Sequence, residues 1–344
     1  MKYESFKRKK IIMIGILLCV LFTAGTLIMA ENQYSPVVNE LKELYEKNPQ
    51  FAQLLDDALK SAVVPPGGWA PDPKDPSKLF VWREKNFNDL LDFFEGWLYF
   101  VPNPSNGMSY YELFYGLCYQ NECALNFVEM EPGLSWTREF VEARGEYMDK
   151  KDSIDNNKPT MDLWFKTMGD KWYDFQPLHP INEGYKGYTT FNEFFTRDIK
   201  PGKRPIAFEN DETILVAPAD GLTNVVNSNL STDSLIHTKY TEYLNVEQLL
   251  DRSEYAKFFL GGTAVSTVLL PPDYHHYHSP VDGYMVESKE VDVNTGIYFG
   301  MDGGFYTYSN NGNIGGYQAK YGIFGQYHRG YYIIKTENFG YIAM

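Results

Sequence analysis

Cysteine is scarce, with three in 344 residues at positions 19, 118 and 123. That excludes a disulfide-stapled scaffold. With no Cys/His cluster at ligand spacing, a zinc ribbon or finger is excluded too. Cys118 and Cys123 stand either as a pair in an oxidising compartment or as two half-buried thiols. Positive charge is also short, 31 basic against 45 acidic residues for a net charge of −14. Five of the basic residues and one acid fall within the first ten positions, so the remaining body is more acidic still. No basic stripe interleaved with aromatics runs through it, which excludes nucleic acid as a bulk partner. No repeat of fixed period is visible.

What is plentiful is aromatic surface. The chain holds 27 Tyr and 23 Phe within 44% hydrophobic content, which excludes a disordered chain and provides for one large or two ordinary cores. A single long apolar run is present, Ile11 to Ala30, behind Lys2, Lys7, Arg8, Lys9 and Lys10. It exceeds the roughly 7–15 apolar residues of a signal peptide and is about long enough to span a bilayer. Residues 1–30 are therefore expected to be an uncleaved membrane anchor or a cleaved signal. Either reading places the body outside the cytoplasm.

Past the anchor the pattern is helical. Val37 to Ala62 reads as two helices divided near Pro49. Phe87 to Val101 and Tyr110 to Tyr119 follow. Leu134 to Met148 reads as another, with Ser135 as candidate N-cap, and Thr160 to Trp172 as one more, started by Asp162. Near Tyr185 the texture changes. Thr190 with Glu193 forms a capping-box signal over a short helix, and the basic loop Arg197 to Ile206 comes after it. Short β-like runs then alternate with turns: Ile214–Ala217, Leu222–Val226, Ala264–Leu270, Tyr284–Val291, Tyr331–Lys335 and Tyr341–Ala343. The expected fold class is α+β: a segment 1–30, a mainly helical accessory domain 31–184, and a β-rich domain 185–344 that is incomplete.

Three of the six histidines, His275, His276 and His278, crowd one stretch between an apolar run and Ser279-Pro280. A loop leaving a core strand is a rigid mounting for reactive groups, and histidine is the side chain suited to proton transfer near neutral pH. In an extended segment His275 and His278 face opposite sides, whereas in a turn they converge. Asp273 and Asp282 flank them, but no metal motif supports a cation site. Asp220, in Pro-Ala-Asp-Gly after a strand signal, either initiates a turn or orients an imidazole.

Five ordered segments carry a resemblance: F-N-E-F-F-T-R-D-I-K-P-G-K-R-P-I (Phe191–Ile206), A-P-A-D-G (Ala217–Gly221), F-L-G-G-T (Phe259–Thr263), D-Y-H-H-Y-H-S-P-V-D-G (Asp273–Gly283) and I-I-K-T-E-N-F-G-Y-I-A-M (Ile333–Met344). Together they resemble the phosphatidylserine decarboxylase family of pyruvoyl-dependent decarboxylases, and the helical region before them is similar to the accessory region of longer members. The resemblance implies a proenzyme that cleaves itself at a serine, whose remnant becomes a covalent pyruvoyl group on the smaller chain. That ketone then forms a Schiff base with the substrate amine and serves as electron sink for loss of CO2, giving phosphatidylethanolamine from phosphatidylserine.

By the same resemblance Asp220 maps to the acid and His278 to the base of an Asp-His-Ser set. His275 maps to a proton donor or substrate contact in the decarboxylation. His276 stands where an arginine is usual, which puts a family-like anion contact in doubt. The segment containing Gly-Ser does not occur before Met344. Gly261-Gly262-Thr263 with Ser266 is not a substitute, since it precedes His278 and matches another segment. The expectation is therefore a larger-chain body whose partner is the pyruvoyl-bearing chain, inactive without it, with phospholipid as substrate and contact to the membrane through residues 11–30. Alternatives are a decarboxylase of free aromatic amino acids and an exported, non-catalytic binding homologue.

Overall fold

The computed structural model describes residues 33–65, 67–105, 107, 109–237, 243–269, 272–291, 307–308, 314–315 and 329–344. The expected anchor at 11–30 lies outside them, and no described helix is long and apolar enough to cross a membrane. The architecture is mixed α and β, as the alternation of periods predicted.

Helices α1 (Pro36–Lys47) and α2 (Pro49–Ser61) each carry proline in the first turn, where its missing N–H is no loss. Asn48 ends the first and caps the second, its side chain accepting from the Phe51 N–H at 3.1 Å. Helix α3 (Phe87–Leu98) starts at a capping box in which Asn86 and Asp89 exchange bonds, and it buries Leu90, Leu91, Phe93, Phe94, Trp97 and Leu98. After it come α4 (Ser109–Cys118), α5 (Glu122–Glu129) and α6 (Gly133–Met148).

The aromatic excess is spent in the core these helices enclose. Phe94 meets Trp136 edge-on at 4.7 Å, and the indole N–H groups of Trp82 and Trp136 donate to the Leu113 and Val37 carbonyls. Both indoles thus keep a polar partner while buried. Cys118 and Cys123 are not joined in a disulfide, and Cys118 is buried.

Three local expectations are corrected. Ser135 is no N-cap: α6 already begins at Gly133 behind Pro132, and the Ser135 hydroxyl donates instead to Glu131. A Cβ on Gly133 would lie 1.9 Å from the Phe127 carbonyl oxygen, so the helix start is set by a backbone approach. Helix α8 (Lys158–Met168), which follows the single turn α7 (Asp152–Asp155), starts before Asp162 with Pro159 in its first turn. Beyond Gly169 the chain continues as a 3₁₀ turn to Asp174.

A second core joins α6 to α8 with later segments. It unites Tyr147, Met161, Trp164 and Phe165 with Tyr188, Phe191 and Phe194 of α9 (Phe191–Phe195), and with Tyr274 of the histidine loop. Strands β1 (Phe175–Gln176) and β2 (Asp198–Ile199) pair antiparallel beside it.

The β-rich part holds β3 (Leu222–Ser228), β4 (Ile236–His237), β5 (Tyr243–Leu244), β6 (Thr263–Val268), β7 (Tyr284–Val291), β8 (Thr307–Tyr308), β9 (Ile314–Gly315), β10 (Arg329–Lys335) and β11 (Tyr341–Ala343). A short helix α10 (Val246–Leu249) lies between β5 and β6. All pairings are antiparallel: β3 with β6, β4 with β5, β8 with β9, and β10 between β7 and β11. Residues 214–217 do not join a ladder as expected; their backbone is used at the site.

Candidate active site

The histidine loop is tied to the Asp220 segment through backbone. The His278 N–H donates to the Pro218 carbonyl at 2.7 Å, the Val216 N–H donates to the Pro280 carbonyl at 3.0 Å, and Ala219 bridges Tyr277 antiparallel. Opposed residues of an antiparallel pair share a face. This register therefore puts the even-numbered positions Pro218, Asp220, His276 and His278 on one side and Ala219 with Tyr277 on the other. Gly221 follows with φ of 146°, a conformation that side-chain-bearing residues rarely adopt, and lets the chain turn directly from Asp220 into β3. At the other end of the loop Gly283 presses onto β10, where a Cβ would lie 2.6 Å from the Lys335 carbonyl oxygen.

The loop rests on the end of α9. Phe195 stacks on His275 with ring centroids 4.1 Å apart, and a ring nitrogen of His276 lies 2.9 Å from the Thr196 carbonyl. Arg197, 1% exposed, donates from Nη2 to the carbonyls of Pro272 (2.8 Å) and Asp273 (3.0 Å), and from Nη1 to those of Phe194 and Phe195. Its guanidinium also lies 4.3 Å from the Phe175 ring centroid. Its Nε is buried without a partner. Burial pushes this guanidinium down to about 10; Tyr188, Asp273 and Asp220 pull it back up, and Arg204 adds to the fall. One buried cation thus clamps the start of the histidine loop to the helix that precedes it.

Asp220 and His278 line one open cleft of about 1550 Å3, together with Arg204, Tyr274, Lys335 and Phe339. The Tyr274 ring stacks on both His276 (4.8 Å) and His278 (5.6 Å), and its backbone N–H points to Asp220 Oδ2 at 3.4 Å. Burial raises the Tyr274 hydroxyl above its ordinary range, with the Asp198 and Asp220 charges adding to the rise and Arg204 opposing it. Asp220 Oδ1 accepts from Arg204 Nη1 at 2.6 Å, and that bond holds the Arg204 guanidinium above its usual range. Among the described residues no hydrogen bond joins Asp220 to His278.

The structure therefore brings two of the three predicted residues, Asp220 and His278, to one cleft. It seats the third, His275, against Phe195. Sequence reasoning missed Arg197, Arg204 and Tyr274. The arginines were legible only as part of a basic loop, since nothing in their spacing separates a buried clamp from a solvated charge. Among the described residues no group of three or more His, Cys, Asp or Glu side chains is placed to hold a metal ion.

The cleft thus holds a carboxylate and an imidazole carried on backbone-tied loops. Residues 191–344 match the family model described as phosphatidylserine decarboxylase. Among curated relatives, the phosphatidylserine decarboxylase proenzyme 3 of Schizosaccharomyces pombe is 42% identical over 106 residues, covering 31% of this chain and 11% of that protein. The phosphatidylserine decarboxylase proenzyme of Fusobacterium nucleatum is 34% identical over 157 residues, covering 46% of each chain. Decarboxylase iboD of Amanita muscaria is 25% identical over 169 residues, covering 46% of this chain and 47% of that one. The matched region thus spans less than half the length of each of these three relatives.

Proposed function

We propose that residues 1–344 form the larger-chain part of a pyruvoyl-dependent decarboxylase that converts phosphatidylserine to phosphatidylethanolamine and CO2. The observation that carries this reading is the backbone register Val216–Ala219 against Tyr277–Pro280, which delivers Asp220 and His278 to one cleft. The donor set fits the formation of the group: a carboxylate and an imidazole are what a serine hydroxyl needs beside it for activation. His278 takes the hydroxyl proton at a ring nitrogen, and the Asp220 charge steadies the resulting imidazolium. The serine is carried by the smaller chain, which is the partner. When formed, the pyruvoyl ketone supplies the electron sink for loss of CO2. We assign His275, held on Phe195, to the decarboxylation step as a proton donor or substrate contact.

Ile206, Phe208 and Phe339 line the cleft beside three cations, Lys200, Arg204 and Lys335, and six carboxylates. The apolar side chains support a substrate that carries acyl chains. The relatives' names, phosphatidylserine decarboxylase proenzymes, point the same way. Residues 31–184 serve as a helical accessory domain and 185–344 as the catalytic one. The basic flank and apolar run within residues 1–30 support a body that is membrane-anchored and extracytoplasmic, or secreted.

The test is co-expression of this chain with a Gly-Ser-bearing C-terminal segment, followed by assay of CO2 release from carboxyl-labelled phosphatidylserine and from labelled aromatic amino acids. Release from the lipid alone is expected. Release from the free amino acid alone overturns the substrate, and release from neither overturns the reading.

A further inference from the structure

The Arg204 guanidinium sits on the one oxygen of Asp220 that makes a short contact, while His278 waits in the same cleft without a bond to that carboxylate. Arg204 is itself placed by a built loop. The β1–β2 pair anchors the loop's start, the Lys200 N–H donates to the Asp174 carbonyl at 2.8 Å, and Lys203 Nζ lies 3.2 Å from the Asp174 carboxylate. Pro201 and Pro205 bracket Arg204, and Gly202 turns the chain at φ of 77°. Two prolines and a glycine turn limit how the arginine can be presented.

Asp220 also feels the buried Arg197 through space, so it is the acid between two cations of which only Arg204 touches it. A carboxylate oxygen held at 2.6 Å by a guanidinium is in a charge-assisted bond, stronger than a bond to a neutral imidazole. The two partners therefore compete for Asp220.

Resting on the reading of Asp220 and His278 as a working pair, we infer that Arg204 is a positioning residue: it holds the Asp220 carboxylate and governs whether Asp220 reaches His278. While the ion pair stands, Asp220 is turned to Arg204. When the cleft receives an anionic group that attracts Arg204, Asp220 is released to orient the imidazole. An acidic head group or the carboxylate of a docking segment is such a group. The device places the orientation of the base under the control of what occupies the cleft.

Asp220, Arg204, Tyr274, Asp282, Lys335 and Glu337 are among the charged and titratable groups that line the cleft with His278. The test reads the His278 ring ¹⁵N shifts by NMR in the full chain labelled at histidine, with His278→Gln to assign the signal. Five proteins are compared: wild type, Asp220→Asn, Arg204→Met, the double variant and Arg204→Lys. The expected result is non-additive. Asp220→Asn leaves the His278 ring shifts nearly unchanged while Arg204 is present. In the Arg204→Met background it produces a large shift, the loss of a carboxylate-bonded ring signature. Arg204→Lys, which keeps the charge, behaves as wild type.

An equal effect of Asp220→Asn in both backgrounds overturns the inference, because Asp220 then serves His278 regardless of Arg204. No effect in either background overturns the underlying reading, because Asp220 then does not act on His278 at all. Arg204 is half-exposed, so its replacement leaves the fold intact.

Discussion

Arg197 and His278 show how differently two residues of one site answer to substitution. Arg197 supplies a charged donor to four main-chain carbonyls in the interior. Arg197→Met strips that donor from all of them and should lower stability by roughly 2–3 kcal/mol, read as a fall in the urea midpoint. His278 is exposed, and apart from its stack on the Tyr274 ring it is held through its backbone N–H, which alanine retains. His278→Ala should therefore leave the urea midpoint within about 0.5 kcal/mol of wild type, while abolishing self-cleavage of the co-expressed proenzyme. His275→Ala should leave cleavage intact and impair turnover, and equal processing of both variants with wild type would count against the roles assigned. The histidine stretch was legible in the sequence because three rare residues crowd one loop. The two arginines were not, because a guanidinium's task depends on which carbonyl or carboxylate the fold carries to it.

At the scale of elements, signals were clear wherever a cap and a period agreed. The Thr190–Glu193 capping box forms as expected, with Glu193 also accepting from both the N–H and hydroxyl of Thr189. Thr190→Ala should cost about 1 kcal/mol and loosen the platform beneath His275. Burial tends to raise the Glu193 carboxyl, but the bonds from His179 and from Thr189 and Thr190 prevail and hold it below the ordinary value of 4.5. Its contribution to stability is thus complete above that value and is lost as pH falls through the lower folded one.

The opposite sign appears between α1 and α6. There a hydrogen bond to Glu139, then burial, raises Glu40 to about 7. The protonated form is favoured in the fold, so this contact contributes below pH 4.5 and is lost as pH rises through about 7. Glu40→Gln should flatten the loss of thermal stability between pH 5 and pH 8, as seen in paired melting curves. An unchanged slope would contradict the shared proton. Helix α5 went unseen because Asn121-Glu122-Cys123 interrupts the apolar pattern. Its cap Asn121 accepts from the Ala124 N–H and is held in place by donating to the carbonyls of Leu117 and of the distant Ala58. The expected 214–217 strand does not form: the Ile214 N–H closes a turn on the Asp211 carbonyl and the Val216 N–H is taken by the Pro280 carbonyl of the histidine loop.

At the scale of the whole molecule, the two textures of the sequence correspond to different ways of burying aromatics. The first core is a helical cluster of Trp and Phe contributed by residues 37–140. The third is built on β7 and β10 with Leu230, Ile236, Val246 and Leu250. Between them the second core ties α6 and α8 to α9 and to Tyr274, so the helical part packs directly beneath the histidine loop. That coupling could not be read from periodicity, which describes each helix but not its neighbour.

The proposal that these residues are the larger chain of a self-processing decarboxylase is tested most directly by mass spectrometry of this chain expressed in one reading frame with its Gly-Ser segment. Two chains, the smaller one blocked at its N-terminus by pyruvoyl, are the predicted result. A single intact chain that retains the serine would contradict it.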